Sequence, residues 1–183
     1  MDKRILIRIA KDAIMEELTG LSLIDREKLL AHYPWLGEMG AVFVTLNKRG
    51  QLRGCIGSIV AHRALLDDLI LNAKAAAFND PRFPPLQEEE LASLEIEISL
   101  LTTPQPLGYS DVEDLKSKIR PGIDGVILQQ GAHQATYLPS VWEQLPEFEA
   151  FFGTLCQKAG LRADCLRYHP TILVYQAEKI EEA

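Results

Sequence analysis

Apolar side chains return every three or four positions between Asp2 and Leu18, at Ile5, Leu6, Ile9, Ala13, Ile14 and Leu18, with Arg8, Lys11, Asp12, Glu16 and Glu17 between them. That period predicts an amphipathic helix lying across a sheet and closed by Gly20. Asp25 can cap a shorter helix through about His32, which Pro34 stops. Over 41–46 the pattern changes to β-branched and aromatic residues, the turn sequence Asn47-Lys48-Arg49-Gly50 follows, and Leu52 opens a second extended run. This reads as a β-hairpin.

Leu65 to Phe78 predicts a strong helix whose alanines allow close backbone approach, and the prolines of Asn79-Asp80-Pro81-Arg82-Phe83-Pro84-Pro85 break it. Gln87 to Leu91 reads as a helical turn. Leu94 to Leu100 alternates apolar and polar residues, as a strand with one wet face does, and carries Glu95, Glu97 and Ser99 on that face. A helix capped by Ser110 or Asp111, a hairpin turning at Gln129 to Ala132, and a helix with the stripe Phe148, Phe151, Phe152, Leu155 and Ala159 closed by Gly160 follow. Leu166 to Gln176 reads as a last strand, and the polar tail from Glu178 as frayed. Two hairpins without strict βαβ alternation predict an α+β fold, with a mostly antiparallel sheet and flanking helices.

The chain has 183 residues, 47% of them hydrophobic and 25% charged, which fits one well-packed domain over 1–183. A net charge of -7 supplies no basic field toward nucleic acid or an anionic membrane, and no run of about 18 apolar residues could span a bilayer. The amphipathic start is not a signal peptide, so the expected address is the cytoplasm. Cys55, Cys156 and Cys165 are odd in number and widely spaced; they do not read as a disulfide framework or a zinc site, and Cys156 and Cys165 are assigned structural roles.

Chemistry concentrates in Leu52-Arg53-Gly54-Cys55-Ile56-Gly57, a thiol beside a guanidinium between two glycines. Strand alternation would put Arg53 and Cys55 on one face, where a fixed positive charge favours thiolate and burial opposes it. Gly54 and Gly57 suggest a bulge or a close approach by ligand or backbone. The plainer reading makes Cys55 a small buried hydrophobe and the glycines packing devices. A nucleophilic cysteine also needs a base, and neither His62 nor His133 has diagnostic spacing. In the proline-stiffened loop, Asp80, Arg82 and Phe83 either present a carboxylate, a bidentate donor and a ring to a ligand, or pair internally and plug the core.

Read in order, LRGCIG, NDPRFPPL, EIEISLL, GIDGVILQQGAHQATYLPSVWEQLP and FFGTLCQKAGL resemble the AMMECR family, also described as protein A of the AmmeMemoRadiSam system. The resemblance runs from about Ala41 to Leu161. It implies an α+β fold with a larger and a smaller lobe around a cleft, and a site at Arg53, Gly54, Cys55 and Gly57 joined by Asp80, Arg82 and Phe83. It also implies an association with a Memo-like protein and a radical S-adenosylmethionine protein. It names no reaction and no cofactor, and the chain has neither a radical-enzyme cysteine triplet nor a facial-triad histidine cluster. Two functions follow as expectations. One is a binding or accessory module recognising a small anionic ligand, a modified side chain or a partner protein through Arg53, Gly54, Gly57, Asp80 and Arg82. The alternative is an enzyme with Cys55 as nucleophile.

Overall fold

The computed structural model describes residues 2–182. It is α+β, with two four-stranded sheets whose pairings are antiparallel wherever their register is defined. The chain divides into two compact units, Met1–Leu101 with Glu178–Ala183, and Thr102–Ala177.

In the first unit, helix α1 (Ile5–Thr19) ends on Gly20 in the left-handed conformation, and α2 (Arg26–His32) starts where Asp25 accepts the Lys28 N–H. Strand β1 (Ala41–Lys48) turns through Arg49 and Gly50, both at positive φ as a two-residue hairpin loop requires, into β2 (Gln51–Gly57). Helix α3 (Leu65–Phe78) and a 3-10 turn at Glu88–Ser93 precede β3 (Leu94–Leu101). Sheet order is β2-β1-β3-β8, where β8 is Ala177–Glu181, so β2 is an edge strand. Leu6, Ile9, Ala13 and Ile14 of α1 and Leu66, Leu69, Ala73 and Ala76 of α3 bury against Val44, Leu46, Ile96 and Ile98.

The tail departs from its expected fraying. Residues Ala177–Glu181 form β8, because Ile180 is buried in the first unit's core and Lys179 pairs with Glu97 and Glu181. One apolar anchor among charged neighbours gave too short a pattern to read as a strand.

The second unit holds β4 (Gln105–Pro106), α4 (Val112–Lys118), the hairpin β5 (Gly125–Gln130) and β6 (His133–Tyr137), α5 (Phe148–Lys158) and β7 (Thr171–Tyr175), in sheet order β4-β7-β5-β6. Phe151, Phe152 and Leu155 of α5 fill its core with Val126, Leu128 and Ile172. The expected strand from Leu166 begins only at Thr171, since Cys165–Tyr168 is a 3-10 turn.

The cysteine expectation is corrected here. Cys156 and Cys165 form a disulfide, with Cα atoms 5.8 Å apart and a sequence separation of 9. Gly160, at φ 83°, reverses the chain after α5 and lets Leu161 N–H return to the Cys156 carbonyl, which brings the following turn back under the helix end. Spacing alone carries no trace of that reversal.

Candidate functional site

Strand β2 carries the site, and its ladder is irregular. Leu46 pairs with Gly54 and Asn47 with Leu52, so Arg53 is the unmatched residue of a β-bulge. A bulge interrupts the alternation of faces on which the expected Arg53–Cys55 neighbourhood rested. Arg53 and Cys55 share no hydrogen-bond partner. The Arg53 guanidinium, largely buried, donates through Nε and Nη2 to Glu90 and through Nη2 to the Pro84 carbonyl; its Nη1 is buried without a partner. Lys48 Nζ reaches the same Glu90 at 3.1 Å. Hydrogen bonds from Arg53 first, then from the Gln87 N–H and Lys48, hold the Glu90 carboxyl down to about 2 against the cost of its burial.

Cys55 is half-buried and stands opposite Thr45 on β1, its Sγ 3.3 Å from the Thr45 hydroxyl. Its backbone points off the sheet edge. There Asp80 Oδ2 accepts the Cys55 N–H at 3.0 Å, and Arg82 Nη2 reaches the Cys55 carbonyl at 3.5 Å. Asp80 also accepts the Arg82 N–H and the Nε and Nη2 donors of the Arg82 guanidinium. Those bonds, the guanidinium's first, hold the buried Asp80 carboxyl well below the usual carboxylate range although burial opposes it. The carboxylate and guanidinium therefore do for Cys55 what a neighbouring strand would do, one accepting and one donating.

The two glycines have different neighbours. A Cβ at Gly54 would sit 2.1 Å from the Ala76 carbonyl oxygen of α3, and one at Gly57 would sit 2.2 Å from the Phe43 ring. Both close approaches are made by the protein's own atoms. Phe83 lies under two guanidinia, 5.8 Å from Arg53 Cζ and 5.4 Å from Arg82 Cζ. The loop is thus tied to β2 by the Asp80–Cys55, Arg82–Cys55 and Arg53–Pro84 hydrogen bonds, with two guanidinia facing one aromatic ring.

What faces outward is narrower than the motif suggests. Arg82 keeps 55% of its side chain exposed, and its Nη1 donates to no other described residue. Cys55, whose carbonyl Arg82 reaches, carries the chain's free thiol. Neither candidate histidine is hydrogen-bonded to the thiol: His62 Nδ1 is 3.1 Å from the Val60 carbonyl, and His133 Nδ1 is 2.9 Å from the Ala159 carbonyl. Glu97 pairs with Lys179.

Three residues here escaped the sequence reading. Glu90 sits among three consecutive glutamates, but it alone is three residues after Gln87, the capping-box spacing that the structure uses. Asp68 and Asn72, one turn apart on α3, are buried polar residues on an otherwise apolar face. Asp68 accepts from Val42 N–H, Ser58 Oγ and Arg63 Nε, and Asn72 donates to the Val42 carbonyl. They anchor the segment that follows β2.

Comparison with known proteins adds the lineage. The AMMECR1 family model matches residues 7–180. The chain belongs to the AMMECR1 family. Among curated AMMECR1-type relatives, a protein of Methanothermobacter thermautotrophicus is 41% identical over 174 residues, covering 94% of this chain and 89% of that protein. Protein SSO0193 of Saccharolobus solfataricus is 42% identical over 168 residues, covering 88% and 73%. Among solved structures, the uncharacterized protein PH0010 from Pyrococcus horikoshii superposes with a TM-score of 0.84 at 36% identity, over 98% of this chain and 90% of that one. The AMMECR1 fold is therefore α+β as the sequence predicts. Among the described residues no helix is long and apolar enough to cross a membrane.

Proposed function

We propose that this AMMECR1-family chain is a binding module that takes a small anionic group, a carboxylate or a phosphate, on Arg82 beside the Cys55 thiol. The observation that carries this reading is the state of Arg82: its guanidinium is fixed by Asp80 and the Cys55 carbonyl, yet more than half the side chain is open to solvent. A donor whose orientation is already set loses little freedom when it captures an oxygen. Arg53, by contrast, is consumed by Glu90, and Gly54 and Gly57 make room for Ala76 and Phe43, so these three support the site rather than meet the ligand.

The nucleophile alternative has less behind it. A catalytic cysteine needs a base within hydrogen-bond reach, and the partner of Sγ is a hydroxyl. The reading assumes the cytoplasmic address expected from the sequence. It is tested by titrating the protein with inorganic phosphate and with succinate while following the backbone amide resonances of Cys55 and of residue 82, both bonded to Asp80, and the rate of Cys55 alkylation by iodoacetamide. Saturable shifts, slower alkylation, and loss of both in Arg82→Lys are expected. Shifts that persist in Arg82→Lys, or none in the parent, reject it.

A further inference from the structure

We infer that the groove between α1 and α2 is a second small-molecule site, and that its ligand is a zwitterionic amino acid with an apolar side chain. The groove holds a cavity of about 240 Å³. At ~30 Å³ per water, that is room for roughly eight waters, and hence for a ligand of about that many non-hydrogen atoms. Helix α2 is only seven residues long and buries none of them fully, so it does not close over α1.

The lining is ordered by helical spacing. Ile9 is buried at the bottom, and the half-buried Ile24 and Leu29 face it, giving an apolar floor. Arg8 and Asp12 lie one turn apart on the α1 wall, and Lys28 stands on the α2 wall. Arg8 and Asp12 attract one another, but no ion pair or hydrogen bond joins them to each other or to another described residue. Asp12 is half-buried and its carboxyl is raised, chiefly by burial. Asp25 is already occupied, accepting the Lys28 N–H at 3.1 Å and lying 3.8 Å from Lys28 Nζ.

A partly desolvated carboxylate and an uncommitted guanidinium on one wall of an apolar trough are complementary to opposite charges held a short distance apart. An α-amino acid presents that pair: its ammonium answers Asp12, its carboxylate answers Arg8 with Lys28 beside it, and its side chain covers Ile9, Ile24 and Leu29. A simple anion would leave Asp12 facing like charge, and a simple amine would leave Arg8 unanswered.

The test is calorimetric titration of the full chain with leucine, with 4-methylpentanoic acid, which lacks the ammonium, and with isoamylamine, which lacks the carboxylate. Saturable leucine binding is expected, weaker by about tenfold for each truncated probe and for Asp12→Asn or Arg8→Gln. Two substitutions on opposite charges, at exposed Arg8 and half-buried Asp12, guard against a folding artefact, and thermal melts of both variants check it. Arg82→Lys, which removes the anion site beside Cys55, should leave leucine binding unchanged, and loss of leucine binding there would assign it to that site instead. No saturable binding of leucine, equal binding of either truncated probe, or full affinity in both Asp12→Asn and Arg8→Gln would overturn the inference.

Discussion

The backbone N–H of Cys55 and the carboxylate of Asp80 meet at 3.0 Å across 25 residues of sequence, on the open edge of the first sheet. A buried charged acceptor on a backbone donor is among the stronger hydrogen bonds a protein makes. Asp80→Asn removes the charge and half the grip on Arg82. It should cost about 1–3 kcal/mol in urea unfolding and accelerate amide exchange at Cys55 more than at residues of α1.

Gly54→Ala should be more damaging than its size suggests. The added methyl would lie 2.1 Å from a backbone carbonyl of α3, which no rotamer change can move aside. Shifting α3 or bending β2 further should cost about 2–3 kcal/mol, read from the chemical-denaturation midpoint. Glycine here is needed for helix contact, in keeping with the plainer reading of the sequence, in which the glycines pack against the alanine-rich helix.

Acid should release the loop. Glu90 is held to about 2, and Asp80 is lowered as well, so both carboxylates stay ionised further into acid when folded than when unfolded. Groups with depressed folded values add stability that is full above the unfolded carboxylate range and is lost as pH falls through the folded values. Stability should therefore fall between roughly pH 4.5 and pH 2, by on the order of 1–3 kcal/mol for Glu90. Replacing Glu90 by Gln should flatten that part of the profile, as followed by thermal melting at stepped pH.

The disulfide makes a chemical prediction. Of the three cysteines, Cys55 alone is free, and Cys156 and Cys165 are buried. Iodoacetamide should label one site in unreduced, denatured protein and three after reduction, counted by mass. The Cys156→Ala, Cys165→Ala double variant should lose about 2–3 kcal/mol, the value for a loop this short.

Legibility in the sequence followed the range of the interaction. The helix of 5–19, the Asp25 cap and the hairpin turn at Arg49-Gly50 are local, fixed by period, cap and turn chemistry, and they read directly. The strand of 52–57 and the loop of 79–85 could each be singled out by composition. Their joining could not, because the Arg53–Glu90 and Cys55–Asp80 contacts span 37 and 25 residues of sequence and the bulge at Arg53 leaves no local signal. The same limit hid the return of Cys165 beneath α5 and the single buried side chain, Ile180, that turns a charged tail into a strand.

Strand β8 also fixes an order of assembly. The sheet that carries Cys55 is finished by residues 177–181, which follow the whole of Thr102–Ala177 in the chain. While a ribosome is still delivering that stretch, β3 has an unpaired edge and the core lacks Ile180. The first unit is thus the first to be started and the last to be completed, and a nascent chain halted before residue 177 would hold the Cys55 strand on a sheet one strand short.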